Sequence, residues 1–299
     1  MNAARLERAL VSGASGFVGG ALVAHLEASA TRLHFGEGDW LEQVKAADFR
    51  DAAVFHLAAK VHETGPELEA EYVHDNVEKT RELALAAAAG GARRLVFLST
   101  VKVHGEETTG QPFRAADRAH PEDSYARSKW AAEEALRGIA GIEVVIVRSP
   151  LVYGAGVKGN LLSLLRLADS SWPLPFGAID NRRSFVHVDD LARLLIDCAR
   201  LPQAAGGTFL AAHADAVSTP RLVSSIRSHL GRPARLMRVP PRMLEAAAAL
   251  TGQSERISRL TRSLELDTAE TTERLGWSAQ IGFETAVEDM VRAYRDAPA

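Results

Sequence analysis

Short apolar runs recur through the first half of the chain, at about 9–12 (Ala9, Leu10, Val11), 32–35, 53–57 (AVFHL), 94–99 (RLVFLS) and 143–147 (EVVIV). Runs of this kind, without polar alternation, suit strands buried on both faces, which is the condition of a parallel sheet covered by helices. Helical stretches fill the gaps at about 17–29, 40–46, 67–89 and 124–138. The βαβα rhythm predicts an α/β fold with a doubly wound, Rossmann-like parallel sheet, and ligands at the carboxyl ends of its strands. After residue 150 the texture changes: GVKGN, SSWPLPFGAIDN and STPRL are turn-rich stretches between short helices. A main unit over 1–150 and a smaller α/β lobe over 151–299, interleaved with it, are expected.

Composition narrows the function classes. With 299 residues, 46% hydrophobic and 24% charged, the chain can bury a substantial core, and no segment reads as disordered. A net charge of −3 and the lack of any Lys/Arg run argue against nucleic acid as a partner. Cys198 is the single cysteine, so no internal disulfide forms and no metal site is expected; its apolar helical setting points to a core role. The N-terminal segment lacks the apolar core of a signal peptide, and no apolar run reaches the roughly 20 residues of a membrane span. The expectation is a soluble cytoplasmic protein.

VSGASGFVGGAL places Gly13, Gly16 and Gly19 directly after the first strand, at the opening of a helix. Glycines at this spacing let the backbone turn sharply and approach a pyrophosphate, with the helix N-terminus aimed at the phosphates. In that setting the loop predicts a dinucleotide cofactor, the alternative being a tight strand–helix turn with no ligand. Dinucleotide folds offer an acid to the adenosine ribose about 20 residues on. Here Glu37 and Asp39 are the candidates. Only 36 residues separate Gly19 from His56, so one strand–helix unit is expected to be lost or abbreviated. The cofactor is NAD or NADP: Arg32 and His34 suit a 2′-phosphate, whereas Glu37 opposes it and tips the reading to NAD.

DSYARSKWAAEEAL puts Tyr125 four residues ahead of Lys129, one turn apart on a single helix face. Alone, such a pair is ordinary on a helix. Here it follows Ser99 and Thr100, hydroxyls at the end of the fourth strand, while HLAAK ends the third and Asn76 lies in the intervening helix. That arrangement suits hydride chemistry at a carbinol. The tyrosine hydroxyl exchanges the proton, Thr100 holds the substrate oxygen, and the Lys129 charge is expected to draw the phenol below its usual pKa of about 10.

In these motifs, with VRSPLVYG, RRSFVHVDDLA and LGW at 275–277, the chain resembles the extended short-chain dehydrogenase/reductase superfamily, NAD-dependent epimerase/dehydratase group. STVKVHGE, PLPFGAIDNRRSFVHVDDL and RSLELD are similar to a bacterial polysaccharide subgroup of UDP-glucose 4-epimerase-like proteins and 4-ketoreductases of UDP-4-keto-6-deoxy-HexNAc sugars. The resemblance implies catalytic roles for Thr100, Tyr125 and Lys129. It places Gly13, Ser15, Gly16, Phe17, Val18, Gly19, Leu57, Ala58, Ala59, Lys60, Asn76, Ser99, Tyr125, Lys129, Pro150 and Val152 around the cofactor, and Glu37, from the spacing after the glycine loop, joins them as the expected ribose acid. Lys102, Asn160, Leu161, Phe176 and Arg183 would hold a nucleotide-sugar substrate, a UDP-sugar by the subgroup. Arg183 suits a diphosphate as a forked donor, although beside Arg182 it reads equally as a solvated surface charge. A homodimer through the helices at about 67–89 and 124–138 is also implied.

Departures narrow the reaction. The superfamily's dehydratases have Thr-Asp-Glu where this chain has Thr100-Val101-Lys102, which argues against 4,6-dehydration. Hydride transfer at C4 remains, as a 4-epimerase that retains its cofactor or a 4-ketoreductase that releases it. Leu151 stands where many epimerases have asparagine, and Ser184 replaces an aspartate, so the sugar contacts differ. The alternatives are a catalytically silent cofactor-binding regulator of the same fold and a reductase of a non-nucleotide carbonyl.

Overall fold

The computed structural model describes residues 6–26, 29–34, 40–61 and 69–297. Six strands form one parallel sheet: β1 (Arg8–Ser12), β2 (Ser29–Leu33), β3 (Ala53–His56), β4 (Arg94–Thr100), β5 (Glu143–Ser149) and β8 (Thr208–Leu210), in the order β2-β1-β3-β4-β5-β8. Leu10 lies between Thr31 and Val54 in register, and Thr100 faces Ser149 at the carboxyl edge. Against the doubly wound order 3-2-1-4-5-6, one strand beyond β2 is missing among the described residues, matching the short spacing between Gly19 and His56. β2 begins three residues earlier than the sequence pattern suggested, because α1 (Phe17–His25) stops short of residue 29. Glu37, the expected ribose acid, lies outside the described residues.

Alternate side chains of each strand feed two different cores. Val11, Phe55, Val145 and Val147 pack on one face, under α1 and α7 (Val188–Arg200), with Leu191, Leu194, Leu195 and the fully buried Cys198. Leu10, Val54, Leu95 and Phe97 point the other way, against Leu83 and Ala84 of α4 (Lys79–Ala89) and Ala132 and Leu136 of α5 (Ser124–Arg137). Each such side chain contributes on the order of 1.5–3 kcal/mol by leaving water. This two-sided burial is why the strands read as unbroken apolar runs.

The chain after residue 150 builds a second core around a short parallel pair, β6 (Leu151–Tyr153) and β7 (Phe185–His187), with α6 (Gly159–Ala168), α8 (Thr219–His229) and α12 (Phe283–Asp296). It also returns α7 and β8 to the main sheet, so the two parts interleave. Phe17, from the glycine loop's helix, packs on this second core and ties the parts together. No helix among the described residues is long and apolar enough to cross a membrane.

Candidate active site

The glycine loop is shaped by close approach. Gly13 has φ +78°, and a Cβ there would stand 2.6 Å from the backbone nitrogen of Ala58. At Gly19 a Cβ would lie 2.0 Å from the Gly13 carbonyl oxygen. The turn from β1 into α1 and the end of β3 therefore touch backbone to backbone, with room only for hydrogen. Gly16 caps α1 without a side-chain hydrogen bond, so the first amides of the helix point past the loop with no intrahelical acceptor. Ser15 is exposed there, and Val18 is half-buried against the core under α1.

A chain of polar groups runs beneath this turn. The Thr80 hydroxyl donates to the Asn76 carbonyl (2.7 Å), so it accepts from Nε2 of His56 (2.7 Å); Nδ1 of the same ring then accepts from the Ser12 hydroxyl at 2.5 Å. Burial pushes the His56 pKa down to about 3, with the nearby Lys129 charge adding to it, so the ring is neutral. Asn76 sits in a π-helical turn, His74–Glu78, between α3 (Glu69–Val73) and α4. Its side chain accepts from the Lys60 amide (2.7 Å) and donates to the Lys60 carbonyl (3.1 Å) and Ser128 Oγ (2.9 Å). Asn76 thus clamps the Leu57–Lys60 segment to the helix that carries Tyr125 and Lys129. The Lys60 ammonium is itself paired with Glu71.

Lys129 is 1% exposed, and its ammonium lies 3.8 Å from the centroid of the Phe97 ring. It makes no hydrogen bond to a described residue. Burial pushes its pKa down to about 7, partly offset by Glu133 one turn on. Tyr125 differs from the sequence expectation. Burial raises its phenol above the ordinary value, the Asp123 carboxylate and the Tyr72 hydroxyl push the same way, and Lys129 does not counter them. The reason is desolvation: both groups lose water, and each is driven toward its neutral form. Ser99 donates its hydroxyl to Glu133 at 2.5 Å, so only its backbone is left to line a ligand.

Thr100 and Tyr125 open into a cavity of about 740 Å³ at the carboxyl edge of β4 and β5. Of the sequence-assigned substrate residues, Lys102, Asn160, Leu161 and Arg183 line it together with Pro150 and Leu151. Phe176 does not; it is 3% exposed in the second core, beside Leu174 and Leu165, where an aromatic ring gains more from packing than from the cavity. Val152 likewise packs on the core below the sheet, although its neighbour Pro150 reaches the cavity. Arg182 and Arg183 part company. Arg182 is exposed and paired with Glu265 at 2.7 Å, while Arg183 turns inward and donates from Nη1 to the Arg262 carbonyl (3.1 Å). The Nε of Arg183 is buried without a hydrogen-bond partner, and burial lowers its pKa to about 10. A buried guanidinium donor without an acceptor fits an anionic group of a ligand.

Several lining groups escaped sequence reasoning. Tyr72 faces Tyr125, ring centroids 6.4 Å apart. Asp123 caps α5 by accepting from the Ala126 amide (2.6 Å) and also binds the Lys102 ammonium, which reaches Glu106 at 2.6 Å. The Asp123-Ser124 start of the helix was a legible N-cap signal; its pairing with Lys102, 21 residues away, was not. Glu255 and Arg259, from α10 (Ser254–Thr261), pair with each other and also line the cavity. Among the described residues no group of three His, Cys, Asp or Glu side chains could hold a metal ion.

A UDP-glucose 4-epimerase from Vibrio cholerae is 36% identical over 95% of both chains. A dTDP-4-dehydrorhamnose reductase from Mycobacterium tuberculosis is 31% identical over 66% of this chain and 67% of its own. The crystal structure of a UDP-glucose 4-epimerase from Thermotoga maritima with UDP-glucose superposes with a TM-score of 0.77 at 19% identity, covering 96% of this chain and 98% of that one, and shares the fold. Residues 9–211, from the first strand to the end of the last strand of the main sheet, match the NAD dependent epimerase/dehydratase family, and the chain belongs to it.

Proposed function

We propose that the protein carries out NAD(P)-dependent hydride transfer at C4 of a nucleotide-diphosphate sugar, with a UDP-hexose or UDP-N-acetylhexosamine as substrate and 4-epimerisation as the first reading. The observation that carries it is the shared cavity, lined by Thr100, Tyr125, Asn160 and Arg183, with the Nε of Arg183 buried and unpartnered. The Vibrio cholerae epimerase, matched along nearly its whole length, supports the epimerase reading.

A dinucleotide fits the residues present. The Gly13–Gly19 cradle has no room for a Cβ, α1 opens with uncapped amides, and the Lys129 ammonium is buried without an oxygen to accept its protons. Gly13, Gly16 and the first turn of α1 would hold the pyrophosphate. Ala58 and Ala59 would pass beneath the cofactor, and Lys129 would donate to its hydroxyls. When bound, the cofactor supplies a hydride acceptor and donor. The protein supplies the proton path. Tyr125 exchanges a proton with the oxygen on C4, Thr100 Oγ1 hydrogen-bonds that oxygen, and Arg183 and Asn160 hold the diphosphate. Val101 and Lys102, in place of an acid pair, leave 4,6-dehydration without its catalysts.

A second reading, reduction of a 4-keto sugar nucleotide, is favoured by one feature: among the described residues the sheet has no strand beyond β2, on the side where the adenosine would be gripped. Purified protein decides between them. NAD released on denaturation, with interconversion of UDP-glucose and UDP-galactose, supports the epimerase. Apo-protein that oxidises added NADH or NADPH only with a 4-keto sugar nucleotide supports the reductase. Failure of both assays across UDP-sugars would overturn the proposal.

A further inference from the structure

On the second lobe, away from the cavity lining, exposed apolar side chains stand among arginines. Trp172 is 76% exposed, yet its loop is pinned from below. The guanidinium of Arg227, 1% exposed, donates to the carbonyls of Ala168 (3.2 Å), Ser170 (3.2 Å), Trp172 (2.6 Å), Pro233 (3.4 Å) and Ala234 (2.9 Å), and pairs with no carboxylate. The same two segments are stitched by Leu174 N to the Arg235 carbonyl (3.0 Å) and Met237 N to the Leu174 carbonyl (2.9 Å). The tryptophan is therefore held beside RPARLMRVPPR, four arginines in 11 residues with no acid between them. Arg232 is paired with Asp169, but Arg235, Arg238 and Arg242 are exposed and make no ion pair with a described residue.

α9 (Pro241–Leu250) continues the surface. Leu244 packs inward on the second core and Ala248 is buried, whereas Met243 is 62% and Leu250 90% exposed. Those two are seven residues apart, two turns on one face, with Ala246 and Ala247 exposed between them. A rigid tryptophan, an outward apolar helix stripe and unpaired arginines are the elements of an interfacial surface. The apolar groups enter the headgroup boundary, and the arginines meet anionic lipid. α9 packs against α10, whose Glu255 and Arg259 line the cavity, so the surface adjoins the cavity wall.

We propose that this platform docks the protein on an anionic membrane surface. Charge chooses the occupant: three exposed arginines that make no ion pair with a described residue fit an anionic bilayer, and their mutual repulsion opposes a second copy of the same face.

The full chain is sedimented with phosphatidylcholine vesicles, with and without phosphatidylglycerol, at low and high salt. The expected result is salt-sensitive binding to the anionic vesicles only. It should be weakened about tenfold or more by the double variant Arg238→Glu/Arg242→Glu and separately by Trp172→Ser. None of these residues lines the cavity, so turnover and the thermal midpoint should stay at wild-type values. Should one variant fail to fold, Leu250→Ser, at a side chain already in solvent, carries the same test. No binding to anionic vesicles, equal binding to neutral ones, or binding untouched by all the variants would overturn the proposal. So would a concentration-dependent dimer that Trp172→Ser abolishes, which would make a second copy the occupant.

Discussion

Arg148 grips Glu133 through Nε at 3.0 Å and Nη2 at 2.6 Å, with Glu133 fully buried and Arg148 2% exposed. The pair joins β5 to the helix that carries Tyr125 and Lys129. It is completed by Ser99 from β4, and by His104, which accepts from Arg148 Nη1 at 2.8 Å. Removing one partner of a buried pair leaves the other charge unpaired, at about 3–5 kcal/mol. Glu133→Ala is expected to lose stability of that order in urea denaturation. Replacing both partners with apolar groups of similar size, Glu133→Leu with Arg148→Met, should recover most of it. A single Glu133→Ala variant as stable as wild type would refute the role of the pair.

Two glycines separate backbone conformation from contact. Gly13 (φ +78°) and Gly91 (φ +77°) both sit in the left-handed region, but a Cβ on Gly91 meets nothing within 4 Å, whereas one on Gly13 strikes Ala58. Gly91→Ala should cost about 1–2 kcal/mol, the conformational penalty alone. Gly13→Ala should cost distinctly more. Equal losses in thermal unfolding would show that the close approach between β1 and β3 is not tight.

Lys129 has a pH signature. Its pKa is about 7 in the folded protein and 10.5 as an ordinary lysine. Between those values the unfolded chain holds a proton that the folded protein has released, so this group makes stability rise with pH. Below pH 7 the burial cost is paid in full. Lys129→Met carries no such group. The gain in stability from Lys129→Met should be greatest below pH 7 and shrink steadily towards pH 10.5, read by chemical denaturation at several pH values. A gain that stays flat across that window would mean that the ammonium is not desolvated.

Tyr125→Phe removes one hydroxyl and keeps the ring that packs near Tyr72. Turnover should fall by about 10²–10⁴, the usual contribution of a positioned acid or base. Cofactor affinity, followed by nicotinamide fluorescence, should hardly change. Activity within a few fold of wild type would remove Tyr125 from the proton path.

Much of this was legible along the chain, because it depends on neighbours. Unbroken apolar runs mark strands buried on both faces, the Gly13–Gly19 spacing marks the turn from β1 into α1, and 36 residues between Gly19 and His56 leave no room for a full edge unit. The four-residue step from Tyr125 to Lys129 puts both on one helix face whatever else happens. Folding decided the rest through burial and through partners far away in sequence. It turned Arg183 inward and Arg182 outward, drew Phe176 into the core, set Lys102 between Glu106 and Asp123, and bound Asn76 to Lys60 and Ser128. Desolvation, which raises the Tyr125 phenol and lowers the Lys129 ammonium, is a property of the packed surroundings and has no trace in residue spacing.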